Sequence, residues 1–376
     1  MKVLHVITGL GIGGAELQLE LLVRHTRHDP EIVTLYNPGA VADSIERAGV
    51  RVRDLGMTRN TEVSALRRLH RIIRAGRYDV VHTHLYRSQV YGHLAARLAG
   101  VPVVVTTEHS IGETHIERRR MSTPVRALYL AANRLSGATI AVSDVVRDRL
   151  IGWGVPPEKI TVIPNAVDFS RVAYDPVAGA EVRRQLGIAP HVTVIGVLGR
   201  LDQNKRVDLV IRAAAPLLRD DRILVVVGDG RERQRLAETA RDAGVAEHVV
   251  FAGERRDVGP VLSSFDLQVA ASAQETFGLA MLEALGAGLP LLYTTCPALD
   301  GIVTDLARQV PGEEAALRRA LAVELDRPRG PRLPVEALAD RYGIDRIAAR
   351  IDDLYDTCAV RRPARKSRAV TQVLRS

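Results

Sequence analysis

Runs of β-branched apolar residues recur along this 376-residue chain, each followed by a stretch whose apolar residues fall at helical spacing. Runs such as VVVTT at 103–107 are continuous rather than alternating, which marks strands covered on both faces. That alternation folds into parallel, doubly wound sheets. Strands are expected at 3–8, 31–36, 51–55, 79–84, 103–108, 139–142 and 160–163, with helices between most of them, at 15–26, 64–75 and 88–99 among others.

The pattern then restarts. A polar stretch punctuated by proline and glycine occupies 165–190, with a short helical patch at 181–186. Further strands are expected at 192–198, 223–227, 249–251, 267–270 and 290–294. A chain this long exceeds what one hydrophobic core usually organises. The expected organisation is a Rossmann-like domain over 1–170, a linker over 171–189 and a second Rossmann-like domain over 190–340. A helix at 341–358 returns to the first domain, and a basic, disordered tail covers 359–376. Two such arrays face each other across a cleft at their strand C-termini, where doubly wound folds bind ligands.

Composition narrows the partners. Net charge is +8, which suits a phosphorylated ligand, an anionic membrane or nucleic acid. Aromatic residues make up only 4% and the arginines are dispersed, which argues against nucleic acid. Two cysteines, Cys296 and Cys358, are too few for a disulfide framework or a structural zinc site and fit a reducing cytosol. The opening MKVLHVITGL reads as a buried first strand rather than a signal peptide. No run approaches the length of apolar residues that spans a bilayer, so the expected location is cytoplasmic.

Several segments carry chemistry. Residues 274–290 (QETFGLAMLEALGAGLP) follow an expected strand and open a helix near Phe277. A helix N-terminus presents free N–H groups and partial positive charge, suited to a phosphate at Gly278 and Leu279. Glu275 stands at its mouth. Glu283 borders the inward stripe, where an unpaired carboxylate costs on the order of several kcal/mol; two ribose hydroxyls would satisfy it. A loop charge at 275 and an arginine-paired Glu283 remain open on chemistry alone. Residues 197–206 (VLGRLDQNKR) follow the first strand of the second array, and Arg200 and Lys205 could neutralise a diphosphate. Lysine occurs only at Lys2, Lys159, Lys205 and Lys366, so its presence there is notable. The loop 9–16 (GLGIGGAE) is only a weak dinucleotide fingerprint, because no acidic residue ends the next strand as a ribose partner: Glu31 begins it and Asn37 closes it. His82 and His84 share a strand face but lack further ligands at zinc spacing, and His109 ends the next strand at the cleft edge.

The E-x-F-G-x-x-x-x-E pattern beginning at Glu275, followed by A-G-x-P at 287–290, resembles the signature of the large retaining GT-B glycosyltransferase family. Bacterial phosphatidylinositol mannosyltransferases, glycogen and sucrose synthases and capsule enzymes belong to it. The resemblance extends to G-R-x-x-x-x-K at 199–205, the G-G-A-E turn at 13–16 and P-N-A-V-D at 164–168, where Ala166 replaces the usual glycine. It implies that Glu275 sits near the donor sugar hydroxyls and that Glu283 holds the ribose. Arg200, Lys205 and the amides at Gly278 and Leu279, beside Phe277, would meet the pyrophosphate. Gly13 and Gly14 would approach donor and acceptor, His109 would contact the sugar, and the base would lie near Arg255. It also implies sugar transfer from a nucleotide diphosphate sugar to an acceptor hydroxyl with retention, needing no metal and no other cofactor. The departing diphosphate itself would take the acceptor's proton. The usual G-G-x-x-E element is replaced by TTCPALDGI at 294–302, where Asp300 could stand in.

The acceptor would be a sugar, a glycolipid or another hydroxyl compound, as in glycan or exopolysaccharide assembly. A basic, amphipathic stretch at 117–134 offers peripheral membrane contact, although an ordinary surface helix fits it as well. Two other functions compete: a nucleotide-sugar epimerase on the same scaffold, and a non-catalytic nucleotide-sugar binder. The second is expected to lack one of Glu275, Glu283, Arg200 or Lys205, and all four are present.

Overall fold

The structure, a computed structural model, describes residues 1–59, 61–112, 115–116 and 119–360. Seven parallel strands form the first sheet: β1 (Lys2–Ile7), β2 (Asp29–Thr34), β3 (Arg51–Asp54), β4 (Val80–His84), β5 (Val103–Glu108), then β8 (Ala138–Ala141) and β9 (Ile160–Val162). A small antiparallel hairpin, β6 (His115–Ile116) and β7 (Arg119–Arg120), interrupts the series. The second sheet holds β10 (Thr193–Leu198), β11 (Arg222–Val227), β12 (Val249–Gly253), β13 (Leu267–Ala270), β14 (Leu291–Tyr293) and β15 (Ala307–Gln309). Every residue of β4 and β5 is buried, which explains why the run VVVTT in β5 is continuous rather than alternating. The protein is therefore α/β, with two doubly wound domains in the GT-B arrangement.

Strand order fixes where ligands can bind. The first sheet runs β3-β2-β1-β4-β5-β8-β9 and the second β12-β11-β10-β13-β14-β15. Winding reverses between β1 and β4 and again between β10 and β13. Crevices open at such switch points, beyond the strand C-termini. The loops after β1, β4 and β5 therefore face those after β10 and β13.

Two chain segments connect the domains. The chain leaves the first sheet through Asn165–Asp168 and returns through Tyr342–Ile344, and the crossings pair as a parallel bridge. The Val167 N–H donates to the Tyr342 carbonyl at 2.8 Å, and the Ile344 N–H to the Val167 carbonyl at 3.2 Å. Helix Ile344–Val360 then lies against the first sheet, burying Ile344, Ile347, Ile351 and Tyr355 with Val3, Val103, Ile140 and Ile163. Each such side chain contributes about 1.5–3 kcal/mol. Asp352 completes the dock, accepting from the Thr26 hydroxyl at 2.6 Å and the Arg27 N–H at 2.9 Å.

Several elements differ from the sequence expectations. Within 117–134 the helix begins only at Thr123, because Ser122 and Pro124 form its entry and the preceding residues join the hairpin. Glu117 and Arg118 lie outside the described residues. The 165–190 stretch holds two helices, Phe169–Val172 and Pro176–Gln185, longer than the patch expected at 181–186. Asp175 caps the second, accepting from the Val177 and Ala178 N–H groups. That helix packs on helix Val258–Ser264 so closely that a Cβ on Gly179 would lie 2.6 Å from the Ser263 carbonyl oxygen. Strand β15 is short and polar (ARQ) and gave no strand signal. The last helix extends to Val360, into the expected tail, and residues 361–376 lie outside the described residues.

Candidate active site

The loops after β10 and β13 are joined at Asn204 and its neighbour Lys205. Asn204 lies in the one-turn helix Gln203–Lys205, which Asp202 caps. Its amide donates to the Gln274 carbonyl at 2.8 Å and accepts from the Gln274 N–H at 3.0 Å, while its own carbonyl takes the Ala273 N–H at 2.8 Å. This brings Lys205 and Glu275 together across 70 positions of sequence, with Nζ 2.5 Å from Oε1. The carboxylate is only 12% exposed and the lysine 29%. Arg200, at the start of the same loop, is exposed and has no protein partner among the described residues.

The β13 loop ends at Gly278, whose φ of +111° falls in the left-handed region. A Cβ there would lie 2.4 Å from the Cys296 sulfur. The helix starts at Leu279 rather than near Phe277, so the first-turn amides of Leu279 and Ala280 have no intrahelical acceptor. Phe277 itself is buried, edge-on to Tyr342 with ring centroids 5.4 Å apart. Its carbonyl accepts the Ala298 N–H at 3.0 Å, so its side chain anchors the loop from below rather than lining the cleft.

Glu283 lies one turn into this helix. Its carboxylate has no hydrogen bond or ion pair among the described residues. It keeps a partly exposed edge, yet protein surrounds it elsewhere, and this desolvation raises its pKa to about 7 against the weaker pull of Arg171. Arg255 is committed to Asp257, with Nε 2.9 Å from Oδ1, and to Gln185 at 3.0 Å; the Asp257 bonds raise its pKa. Asp300 is exposed at the end of the turn Pro297–Leu299.

The first domain supplies the facing wall. Gly14 opens helix Gly14–His25, and a Cβ on it would sit 3.6 Å from Leu279 Cδ1 of the second domain. Gly13 has φ −165°, open to any residue, and its added Cβ would meet only the Glu16 side chain. His109 follows β5, and its carbonyl accepts the Thr276 hydroxyl at 3.0 Å. From the same side, the Ser143 hydroxyl donates to the Thr276 carbonyl at 2.6 Å. Thr276 is thus clamped by two residues of the opposite domain. Burial lowers the His109 pKa to about 4, partly offset by Asn165 beside it.

Two family models match successive parts of the chain: Glycosyltransferase Family 4 over residues 12–171 and Glycosyl transferases group 1 over 192–323. The chain belongs to this glycosyltransferase family. Similar proteins include UDP-Gal:alpha-D-GlcNAc-diphosphoundecaprenol alpha-1,3-galactosyltransferase of Escherichia coli, 30% identical over 62% of each chain. A D-inositol 3-phosphate glycosyltransferase of Actinosynnema mirum is 33% identical over 61% of this chain and 59% of its own. The matched part thus spans about three fifths of these relatives. The Anabaena protein HepE, crystallised with UDP and glucose, has the same fold at 22% identity, with TM-score 0.83 over 95% of this chain and all of its own.

Within this family member, sequence reasoning missed Asn204, Thr276 and Ser143, whose bonds assemble the site. It also left His5 unremarked. A histidine in the apolar strand KVLHVI must find a partner once buried, and that was the available signal. His5, His82 and His84 bring ring nitrogens within 4.8 Å of one another. Their bonds are otherwise engaged: His82 contacts the Tyr355 hydroxyl at 2.6 Å and the Thr107 hydroxyl at 2.7 Å, and His5 meets His84 at 3.1 Å.

Proposed function

We propose that this protein transfers a sugar from a nucleotide diphosphate sugar to an acceptor hydroxyl with retention of anomeric configuration, in glycan, exopolysaccharide or glycolipid assembly. The observation that carries this reading is the Lys205–Glu275 pair at 2.5 Å, set beside the unpartnered Arg200. The two cations suit a diphosphate leaving group, and free amides at Gly278 and Leu279 suit its oxygens. Glu283 is free to accept two ribose hydroxyls. Glu275, released from Lys205 when the diphosphate binds, turns to the sugar hydroxyls, and His109 approaches the sugar from the other wall.

Such a site works by positioning and charge stabilisation. As the glycosidic bond breaks, electrons pass to the diphosphate oxygen, which Lys205 and Arg200 neutralise. The acceptor oxygen attacks from the same face and its proton passes to that diphosphate. The cationic side chains carry the charge that a divalent ion would otherwise meet, so transfer proceeds without metal. Helix Thr123–Asn133 exposes Leu128; peripheral contact with an anionic cytoplasmic membrane surface would deliver a lipid-linked acceptor.

The test is to incubate the purified protein with a panel of nucleotide sugars and acceptors, with and without EDTA, and to read the anomeric proton of the product by NMR. Retained configuration, insensitive to EDTA, is expected. Epimerised donor without transfer, or binding without turnover for every donor, would overturn it. Vesicle co-sedimentation of wild type against Leu128→Asp reads the membrane contact.

A further inference from the structure

A chain of three imidazoles runs from the interior of the first sheet to the cleft. Nδ1 of His5, in β1, lies 3.1 Å from Nε2 of His84, the last residue of β4. Nδ1 of His84 lies 3.2 Å from Nε2 of His109, just beyond β5. Strand register sets this line: β4 lies between β1 and β5, with Ile7 beside His84 and His84 beside Thr107. All three rings are buried. The His82 ring packs on His84 with centroids 4.2 Å apart, and its own nitrogens are occupied by Tyr355 and Thr107. His84 is thereby held in place from the side.

A neutral imidazole carries one N–H and one lone pair. Burial keeps these rings neutral at physiological pH. Each ring–ring contact then consumes one N–H and one lone pair, so the tautomer of any ring dictates that of the other two. The far end is His109 Nδ1, a buried nitrogen that has Asn165 beside its ring but no well-formed hydrogen bond among the described residues. Whether it carries a proton or a lone pair is therefore coupled, through His84, to the tautomer of His5 as well as to Asn165 beside it.

We propose that His5 and His84 are positioning residues for His109, locking its ring and its tautomer so that Nδ1 meets the donor sugar in one defined role. The contact with sugar rests on the transferase reading above; the tautomer lock does not.

Ring-nitrogen NMR on protein labelled with 15N-histidine tests the lock without substrate. In the wild type, His109 is expected to show one tautomer. In His84→Leu, which keeps bulk but breaks both contacts, it becomes a mixture, and His5→Leu shifts the His109 signals from two residues away. His84→Asn retains an amide near the Nδ1 position and restores a single form. In turnover, His84→Leu lowers kcat by about ten- to a hundredfold, with nucleoside diphosphate affinity unchanged because the second domain holds that group, and His84→Asn recovers most of the loss. If His84→Leu does not fold, His5→Leu carries the same comparison. Unchanged His109 nitrogen shifts and unchanged kcat in these variants would overturn the proposal. A wild type that transfers no sugar overturns the transferase reading alone, since the NMR result still decides the lock.

Discussion

Lys205 holds Glu275 at 2.5 Å through a contact that no local sequence pattern enforces, and Asn204 beside it bonds the same two loops together. With the carboxylate mostly covered, truncating either partner leaves a poorly solvated charge. Lys205→Ala also removes a cation from the leaving group, so kcat is expected to fall by about 10²–10³-fold. Glu275→Gln should cost less in nucleotide affinity, because the diphosphate can still take the lysine. The double variant should lose less than the two single losses combined, as partners in direct contact do. Steady-state kinetics on all four proteins measure this; strictly additive losses would show that the contact has no part in turnover.

Glu283 links stability, nucleotide affinity and pH. Its folded pKa of about 7 lies above the ordinary carboxylate value. Stability is therefore full below the unfolded pKa and declines as pH rises through the folded one. Glu283→Gln removes the decline, so its melting temperature should exceed that of the wild type by an amount growing from about pH 5 to pH 8. The gain is on the order of 1–3 kcal/mol at the upper end. Binding runs the other way. Ribose hydroxyls favour the ionised carboxylate, so nucleoside diphosphate affinity of the wild type should rise through neutral pH with release of a proton. The variant should bind about 10–100-fold more weakly and without that pH dependence. Thermal melts and calorimetry in buffers of differing ionisation heat read both; a variant less stable at alkaline pH would refute the assignment.

Two glycines at the cleft should respond oppositely to alanine. Gly278 combines a left-handed φ with a Cβ position 2.4 Å from the Cys296 sulfur. Gly278→Ala should cost about 1–3 kcal/mol of stability and most of the nucleotide affinity. Pairing it with Cys296→Ala relieves the clash but not the φ, so recovery is partial. At Gly14 an added methyl reaches only ordinary contact, 3.6 Å from Leu279, and Gly14→Ala should melt with the wild type. Equal melting shifts at the two positions would contradict this geometry.

Legibility in the sequence followed the kind of physics involved. Continuous apolar runs exposed both parallel sheets, because strands covered on two faces cannot hide that composition. Glu275, Glu283, Arg200 and Lys205 stood out through the resemblance of their motifs, since chemistry alone left a loop charge at 275 and an arginine-paired Glu283 open. Hidden features were those fixed by partners far along the chain. Asn204 looks like any loop amide until Gln274 is beside it, and His5 gains its meaning only from His84, 79 positions away. Phe277 sits inside the signature but packs on Tyr342, a contact that motif spacing does not reveal. Helix Pro176–Gln185 was masked by its polar outer face, and β15 by having only three residues.

Thr276 ties the loop after β13 to the first domain, and removing its hydroxyl isolates the contribution of domain closure. Its side chain donates to the His109 carbonyl, while its own carbonyl accepts from Ser143. Neither bond touches the residues proposed to hold the nucleotide, so Thr276→Val and Ser143→Ala should leave nucleoside diphosphate affinity within about twofold. Each bond contributes about 0.5–1.5 kcal/mol to the closed state, and closure brings His109 and Gly14 to the donor. A loss of about three- to tenfold in kcat is therefore expected for each variant. Small-angle scattering should show a larger radius of gyration for the double variant, moving back toward the wild type when donor is added. If affinity fell in parallel with kcat and the scattering did not change, Thr276 would be shaping the donor loop itself rather than joining the two domains.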